Sequence, residues 1–256
     1  MHLIDTHSHL YLDDFTGDID EVIQRAFHCG VERIFLPNID SDTIVPLHKL
    51  ADRYPQRLIP LMGLHPTHVK ENYKTELDAI FQQLKRYAYK GIGEIGIDLY
   101  HDRSFLDEQN DVFEKQLEMA LMLDIPVVIH ARDSFHEILR IVKQKKFEKV
   151  TGIFHAFTGN KDLAEEITSM GFMLGIGGIL TYKNSKLSEV VKAIDIENIV
   201  LESDSPYLAP VPYRGTRNEC SYLIYIVQKV AEIKGLTPDE VGTITSHNAK
   251  KIFKIE

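Results

Sequence analysis

Short apolar runs alternate with longer amphipathic stretches from one end of this 256-residue chain to the other, and this alternation limits the fold more than any single motif. Read as strands, the apolar runs are Leu3 to Thr6, Val31 to Pro37, Leu58 to Leu64, Gly91 to Ile97, Pro126 to His130, Gly152 to Phe157, Phe172 to Ile176 and Ile199 to Glu202. Between them, segments such as Asp18 to Cys29, Asp107 to Leu123 and Ser134 to Lys145 carry Leu, Ile, Val and Phe at three- and four-residue intervals, the spacing of one helix face. Eight strand-then-helix units build a parallel sheet that closes on itself. The chain is therefore read as one α/β domain, residues 1–256, with the (β/α)8 TIM-barrel fold, whose usual size is about 250 residues. An open doubly wound sheet fits less well, because no Gly-x-Gly-x-x-Gly follows the first strand. The run Gly175-Ile176-Gly177-Gly178 is expected to form a flexible exit from the seventh strand.

Barrels concentrate chemistry at the C-terminal ends of their strands. His7 and His9 follow the first strand, spaced so that both project from one face. Glu94 lies in the fourth strand, His130 closes the fifth, His155 the sixth, and Asp204 follows the eighth. A single histidine at a strand end is ordinarily a hydrogen-bonded structural residue. Four histidines and two carboxylates on one rim, each preceded by sequence that would bury an unpaired polar group at a cost, point instead to metal binding. Six ligands exceed what one tetrahedral ion needs, and a glutamate can bridge two ions. The expected division places one ion on His7, His9 and Asp204, a second on His130 and His155, and Glu94 between them. Two such ions activate water for hydrolysis, with Asp204 as the proton acceptor and Glu202 as the alternative. Four imidazoles favour zinc or manganese over magnesium, which prefers oxygen ligands.

Composition narrows the setting. Cys29 and Cys220 are too few for a disulfide framework or thiolate cluster. No apolar stretch is long enough to span a bilayer and no signal segment leads the sequence, so a cytoplasmic protein without membrane association is expected. A net charge of −9 argues against wrapping long duplex DNA, while leaving room for a local phosphate site. Nothing in the sequence calls for an obligate protein partner.

The motifs Leu3-Ile4-Asp5-Thr6-His7-Ser8-His9-Leu10, Gly63-Leu64-His65-Pro66, Gly93-Glu94-Ile95-Gly96-Ile97-Asp98, Ile129-His130-Ala131-Arg132, His155-Ala156-Phe157-Thr158-Gly159 and Leu201-Glu202-Ser203-Asp204-Ser205-Pro206-Tyr207-Leu208-Ala209-Pro210 are those of a known family. The chain resembles the TatD family of metal-dependent deoxyribonucleases, within the amidohydrolase-like barrels, along its whole length. The resemblance implies a two-metal site on the residues already named and phosphodiester hydrolysis, typically as a DNA exonuclease. It also implies magnesium-dependent turnover, so zinc, manganese and magnesium all stand as candidates.

On this reading the expected reaction is 3′–5′ exonuclease cleavage of single-stranded or frayed DNA, with RNA as a second candidate substrate. The alternative is an amide or ester hydrolase, such as an aminoacyl-tRNA deacylase. Relatives of that kind often bridge their metals with a carbamylated lysine on strand four; here Glu94 holds that place and Lys90 lies at the opposite end. His65 is expected to contact a phosphate or leaving oxygen, the alternative being a loop-orienting role. Arg132 is expected to fork onto phosphate oxygens, the alternative being an ion pair with Asp133. Arg214, in the segment Arg214-Gly215-Thr216-Arg217-Asn218, is a candidate phosphate contact, although the family's usual proline after this segment is replaced by Glu219-Cys220. Tyr207 is a candidate for stacking on a nucleobase.

Overall fold

The computed structural model describes residues 1–256. Eight parallel strands follow one another as β1 (Leu3–Asp5), β2 (Val31–Leu36), β3 (Leu58–Pro60), β4 (Ile92–Asp98), β5 (Val127–Arg132), β6 (Gly152–Phe154), β7 (Met173–Ile176) and β8 (Ile199–Leu201). Regular ladders join β1-β2-β3 and, separately, β4 through β8. Backbone bonds beyond the regular strands close both seams. Gly93 N donates to Met62 O at 3.2 Å and Glu94 N to Asn38 O at 3.1 Å, while Thr6 N donates to Leu201 O at 3.0 Å and Asp204 N to His7 O at 2.9 Å. The expected barrel is thus formed, with shorter strands than the apolar runs suggested. At β3 the reason is local: Pro60 has no N–H for a ladder, and the chain from Leu61 to Leu64 continues irregularly.

The first seven strands are each followed by one helix: α1 (Ile19–His28), α2 (Ile44–Ala51), α3 (Tyr73–Arg86), α4 (Leu106–Leu123), α5 (Phe135–Val142), α6 (Lys161–Ser169) and α7 (Leu187–Ala193). Two follow β8, namely α8 (Leu223–Lys234) and α9 (Pro238–Ile252). None is long and apolar enough to cross a membrane. Helix α9 starts at a capping box between Thr237 and Glu240, with Pro238 in its first turn. Its far end closes the N-terminal mouth of the barrel. There Ala249, Ile252 and Phe253 pack on the inward residues Ile4, Phe35, Leu61, Val128, Ile153, Met173 and Val200, and the Phe253 ring stacks on Phe35 with centroids 3.8 Å apart.

Side chains alternate along a strand, so the residues two positions further on face the same interior. His130 follows Val128, His155 follows Ile153 and Glu202 follows Val200. Within about 7 Å of strand the lining therefore changes from hydrocarbon to ligand atoms. Glycines in β7 and just after it make room for this layer. A Cβ on Gly175 would lie 2.3 Å from Glu202 Oε2, and one on Gly178 would lie 2.0 Å from the Leu208 carbonyl oxygen. The segment expected as a flexible exit leads into a 3-10 turn, Gly178–Thr181, where Gly178 allows the close approach.

Candidate metal centre

Glu94 stands at the middle of the site and is 2% exposed. The end of β2 holds it in place, since Asn38 N donates to Gly93 O at 3.0 Å and Asn38 O accepts from Glu94 N. The two carboxylate oxygens face two different sets of imidazoles. Oε2 lies 3.1 Å from His7 Nε2 and 3.5 Å from His9 Nε2. Oε1 lies 2.8 Å from His130 Nδ1, 3.3 Å from His65 Nε2 and 3.7 Å from His155 Nε2. Asp204 occupies a left-handed turn after β8, with φ 59°. Its Oδ1 is 3.8 Å from His7 Nε2, 3.9 Å from His9 Nε2 and 3.8 Å from His155 Nε2. All six expected ligands converge. The grouping is less tidy than the expected division, because His155 stacks on His7 at 3.5 Å between centroids and reaches Asp204 as well as Glu94.

Hydrogen bonds at the far side of the His9 and His130 rings decide which nitrogen carries the proton. The Tyr11 hydroxyl donates to Pro37 O at 2.5 Å, so at 2.9 Å from His9 Nδ1 it acts as acceptor, which leaves His9 Nε2 a lone pair. His130 Nε2 meets Asp98 Oδ2 at 2.9 Å, leaving Nδ1 to face Glu94. His155 Nδ1 sits at ion-pair distance from Glu202 Oε1, 3.0 Å, without hydrogen-bond alignment, and Nε2 is turned inward. His7 Nδ1 is buried without a partner. For His9 and His130 the nitrogen turned to the centre is thereby left with a lone pair, which repels a carboxylate oxygen unless a proton or a cation lies between them. Ligands roughly 2.1 Å from a shared ion stand about 3.0–3.4 Å apart, close to the tighter separations seen here. The donor set fits divalent metal.

His65 differs. Its Nδ1 accepts from Thr67 N at 3.2 Å, so Nε2 carries the proton and presents it to Glu94 Oε1. Although His65, Glu94 and His130 lie close enough to hold an ion, this tautomer makes His65 a hydrogen-bond donor to the centre. Burial pushes its pKa down to about 4, which keeps the ring neutral.

The titration of the other groups reflects crowding of acids and imidazoles. Burial alone would raise the Glu94 carboxyl, but His65, His7 and His155 hold it well below the usual range. Burial lowers His155, yet Glu202, Glu94 and Asp204 outweigh it and push the ring up to about 10. Burial pushes Asp204 up to about 6. Without a cation the acids draw a proton onto His155, and a metal ion neutralises the same negative field.

A family model described as TatD related DNase matches residues 4–254. The chain belongs to that family. It is 37% identical over 254 residues to the metal-dependent hydrolase YabD of Bacillus subtilis (strain 168), with 99% of each chain covered. The crystal structure of YjjV, a TatD homolog from Escherichia coli K12, is similar with a TM-score of 0.92 at 27% identity, covering 99% of this chain and 98% of that one. A TatD family hydrolase from Entamoeba histolytica shares the fold, with a TM-score of 0.85 at 23% identity over 98% of each chain. As a TatD family member the chain is a metal-dependent hydrolase with an α/β barrel.

The centre of this TatD protein opens into a cleft of about 590 Å³. Arg132 and Tyr207 line it, as do His65 and the expected ligands His9, Glu94, His130, His155 and Asp204. Arg132 makes no ion pair with Asp133; its guanidinium lies over the Tyr100 ring at 4.3 Å. The structure does not bring Arg214 to the other candidate contacts. It lies outside the cleft lining, over the ring of Tyr182 at 4.4 Å, an aromatic partner 32 positions away that local sequence gives no means of choosing. The rest of its loop is structural: Asn218 Nδ2 donates to Ser203 O at 2.6 Å and Tyr207 O at 2.7 Å, and Glu219 accepts from Arg25. Asp98, Tyr11, Asn38 and His101 had no role in the sequence reading. Asp98 and Tyr11 left a signal, each lying a few residues from a ligand along the same strand end.

Proposed function

We propose that this chain is a two-metal phosphodiesterase that removes nucleotides from the 3′ ends of single-stranded or frayed DNA. The observation that carries the reading is the split of Glu94: one oxygen faces His7 and His9 and the other faces His130, with His65 and then His155 beside it, at the floor of an open cleft. In this assignment His7, His9 and Asp204 would hold one ion and His130 and His155 the other, with Glu94 shared between them. When bound, such a pair supplies Lewis acidity and a water acidic enough to attack at neutral pH.

The remaining work falls to the protein. Asp204 lines the cleft beside both imidazole groups and takes the proton of the attacking water. His65, with its proton on Nε2, donates a hydrogen bond to an oxygen of the scissile group or its leaving oxygen. Asp98 and Glu202 hold His130 and His155 in the orientation that turns the inner nitrogen to the centre. Arg132 binds a phosphate oxygen and Tyr207, half exposed beside His9, stacks on the terminal base. The family description as a DNase and the glutamate bridge on β4 favour phosphodiesters over amides and esters.

The test is to incubate metal-loaded protein with end-labelled single-stranded DNA, duplex DNA, RNA and a panel of acyl esters, beside Glu94→Ala. Stepwise shortening of single-stranded DNA from its 3′ end, lost in the variant, is expected. Ester turnover with DNA left intact would overturn the reading in favour of the deacylase alternative.

A further inference from the structure

One wall of the cleft is built around Asp98, which is not among the expected metal ligands. Asp98 is 1% exposed and uses both oxygens. Its Oδ1 accepts from the backbone N–H of Tyr100 at 3.0 Å and of His101 at 2.9 Å, which folds the chain after β4 into a tight turn. Its Oδ2 meets His101 Nδ1 at 2.9 Å and His130 Nε2 at 2.9 Å. A single carboxylate thus ties the turn to a metal-ligating ring. The His101 ring, with Nδ1 on Asp98, turns its Nε2 away from that carboxylate and lines the cleft.

Arg132 completes the wall from the neighbouring strand, where it stands opposite Asp98 in the β4–β5 register. Its guanidinium stacks on Tyr100, which is 61% exposed. Stacking uses the flat face of a guanidinium and leaves its N–H edge free, while fixing the direction in which that edge points. No carboxylate lies within ion-pair distance of Arg132 and its side chain makes no hydrogen bond in the protein, unlike Arg25, Arg53 and Arg217, which are each paired with acids. The result is an aromatic-backed fork of unused donors beside an imidazole. It is separated from Glu94 by only one carboxylate and one ring.

We infer that Arg132, Tyr100 and His101 form a subsite for a second, non-scissile phosphate of the substrate, next to the metal pair and distinct from it. The inference rests on the phosphodiester reading and deepens it: the preferred ligand carries two phosphate groups on one nucleoside, as a strand does and an isolated ester does not. A bidentate guanidinium contact recognises phosphate geometry, and the imidazole adds a further polar contact. Tyr207 remains free for the base.

The experiment is equilibrium binding of thymidine 3′,5′-bisphosphate and thymidine 5′-monophosphate to the metal-loaded protein, neither ligand containing a phosphodiester. The wild type is expected to bind the bisphosphate at least roughly tenfold more tightly than the monophosphate. Arg132→Ala is expected to erase that ratio, Arg132→Lys to keep part of it, and Arg140→Ala, which removes the same charge from exposed α5, to keep it whole. Equal binding of the two ligands by the wild type, or a ratio unchanged in Arg132→Ala, would overturn the subsite. Hydrolysis of thymidine 5′-(p-nitrophenyl phosphate) is read in parallel. Its absence alongside a preserved, Arg132-dependent bisphosphate preference would sink the diesterase reading and leave the subsite standing.

Discussion

The two ends of the barrel interior are built from the same strands and do opposite things. At the N-terminal end Val128, Ile153 and Val200 meet Phe35 and Phe253 in a dry plug. Two residues along each strand His130, His155 and Glu202 bring ligand atoms and charge together with few opposite charges to balance them. The plug gains from burial and close packing. The polar layer is costly to bury and is tolerable when each group has a partner, whether an outer hydrogen bond, a proton or a metal ion. Stability and chemistry are thereby separated along the strand axis, which makes the two ends independently breakable.

The largest effect is expected where Glu94 is removed. Glu94→Ala should lower turnover by about 10⁴-fold or more, since it takes the shared ligand from both ions, while thermal stability of the metal-free protein holds or rises. Paired activity and melting measurements check this, and loss of stability in step with activity would break the separation. At the other end, Phe253→Ala should cost about 3–5 kcal/mol in urea unfolding and leave metal content per folded chain unchanged. Between these extremes lies Asp98→Asn. It keeps the shape but weakens the hold on His130, and should reduce metal affinity about 10–100-fold with little change in unfolding free energy. The smallest effect is expected at Gly175→Ala. The added Cβ must displace the Glu202 carboxylate, at a cost of about 1–3 kcal/mol, and the altered support of His155 should appear as weaker metal binding by titration.

The division between the two ends also explains what the sequence made legible. The strands were readable because buried parallel strands are continuous apolar runs, and the ligands because each ends or follows such a run in a polar residue. Strand ends were less readable, as at β3, where Pro60 ends the ladder inside an apolar segment. The supporting residues were hidden for a different reason. Asp98 and Glu202 act through contacts with rings 32 and 47 positions away, respectively, and Arg132 acts through the face of Tyr100. The tautomer of His65, which separates a hydrogen-bond donor from a metal ligand, depends on Thr67 and the local turn. Arg214 shows the same limit: its guanidinium lies over Tyr182, a ring 32 positions away that local sequence does not single out.

The most direct test of the two-ion centre is the metal content of protein purified without chelator and then titrated with zinc, manganese or magnesium, compared with Glu94→Ala. Two divalent ions per wild-type chain, with the variant unable to hold the pair, is the expected result. A wild type that takes up no stoichiometric metal, or a variant that binds two ions as tightly as the wild type, would contradict the bridging role assigned to Glu94.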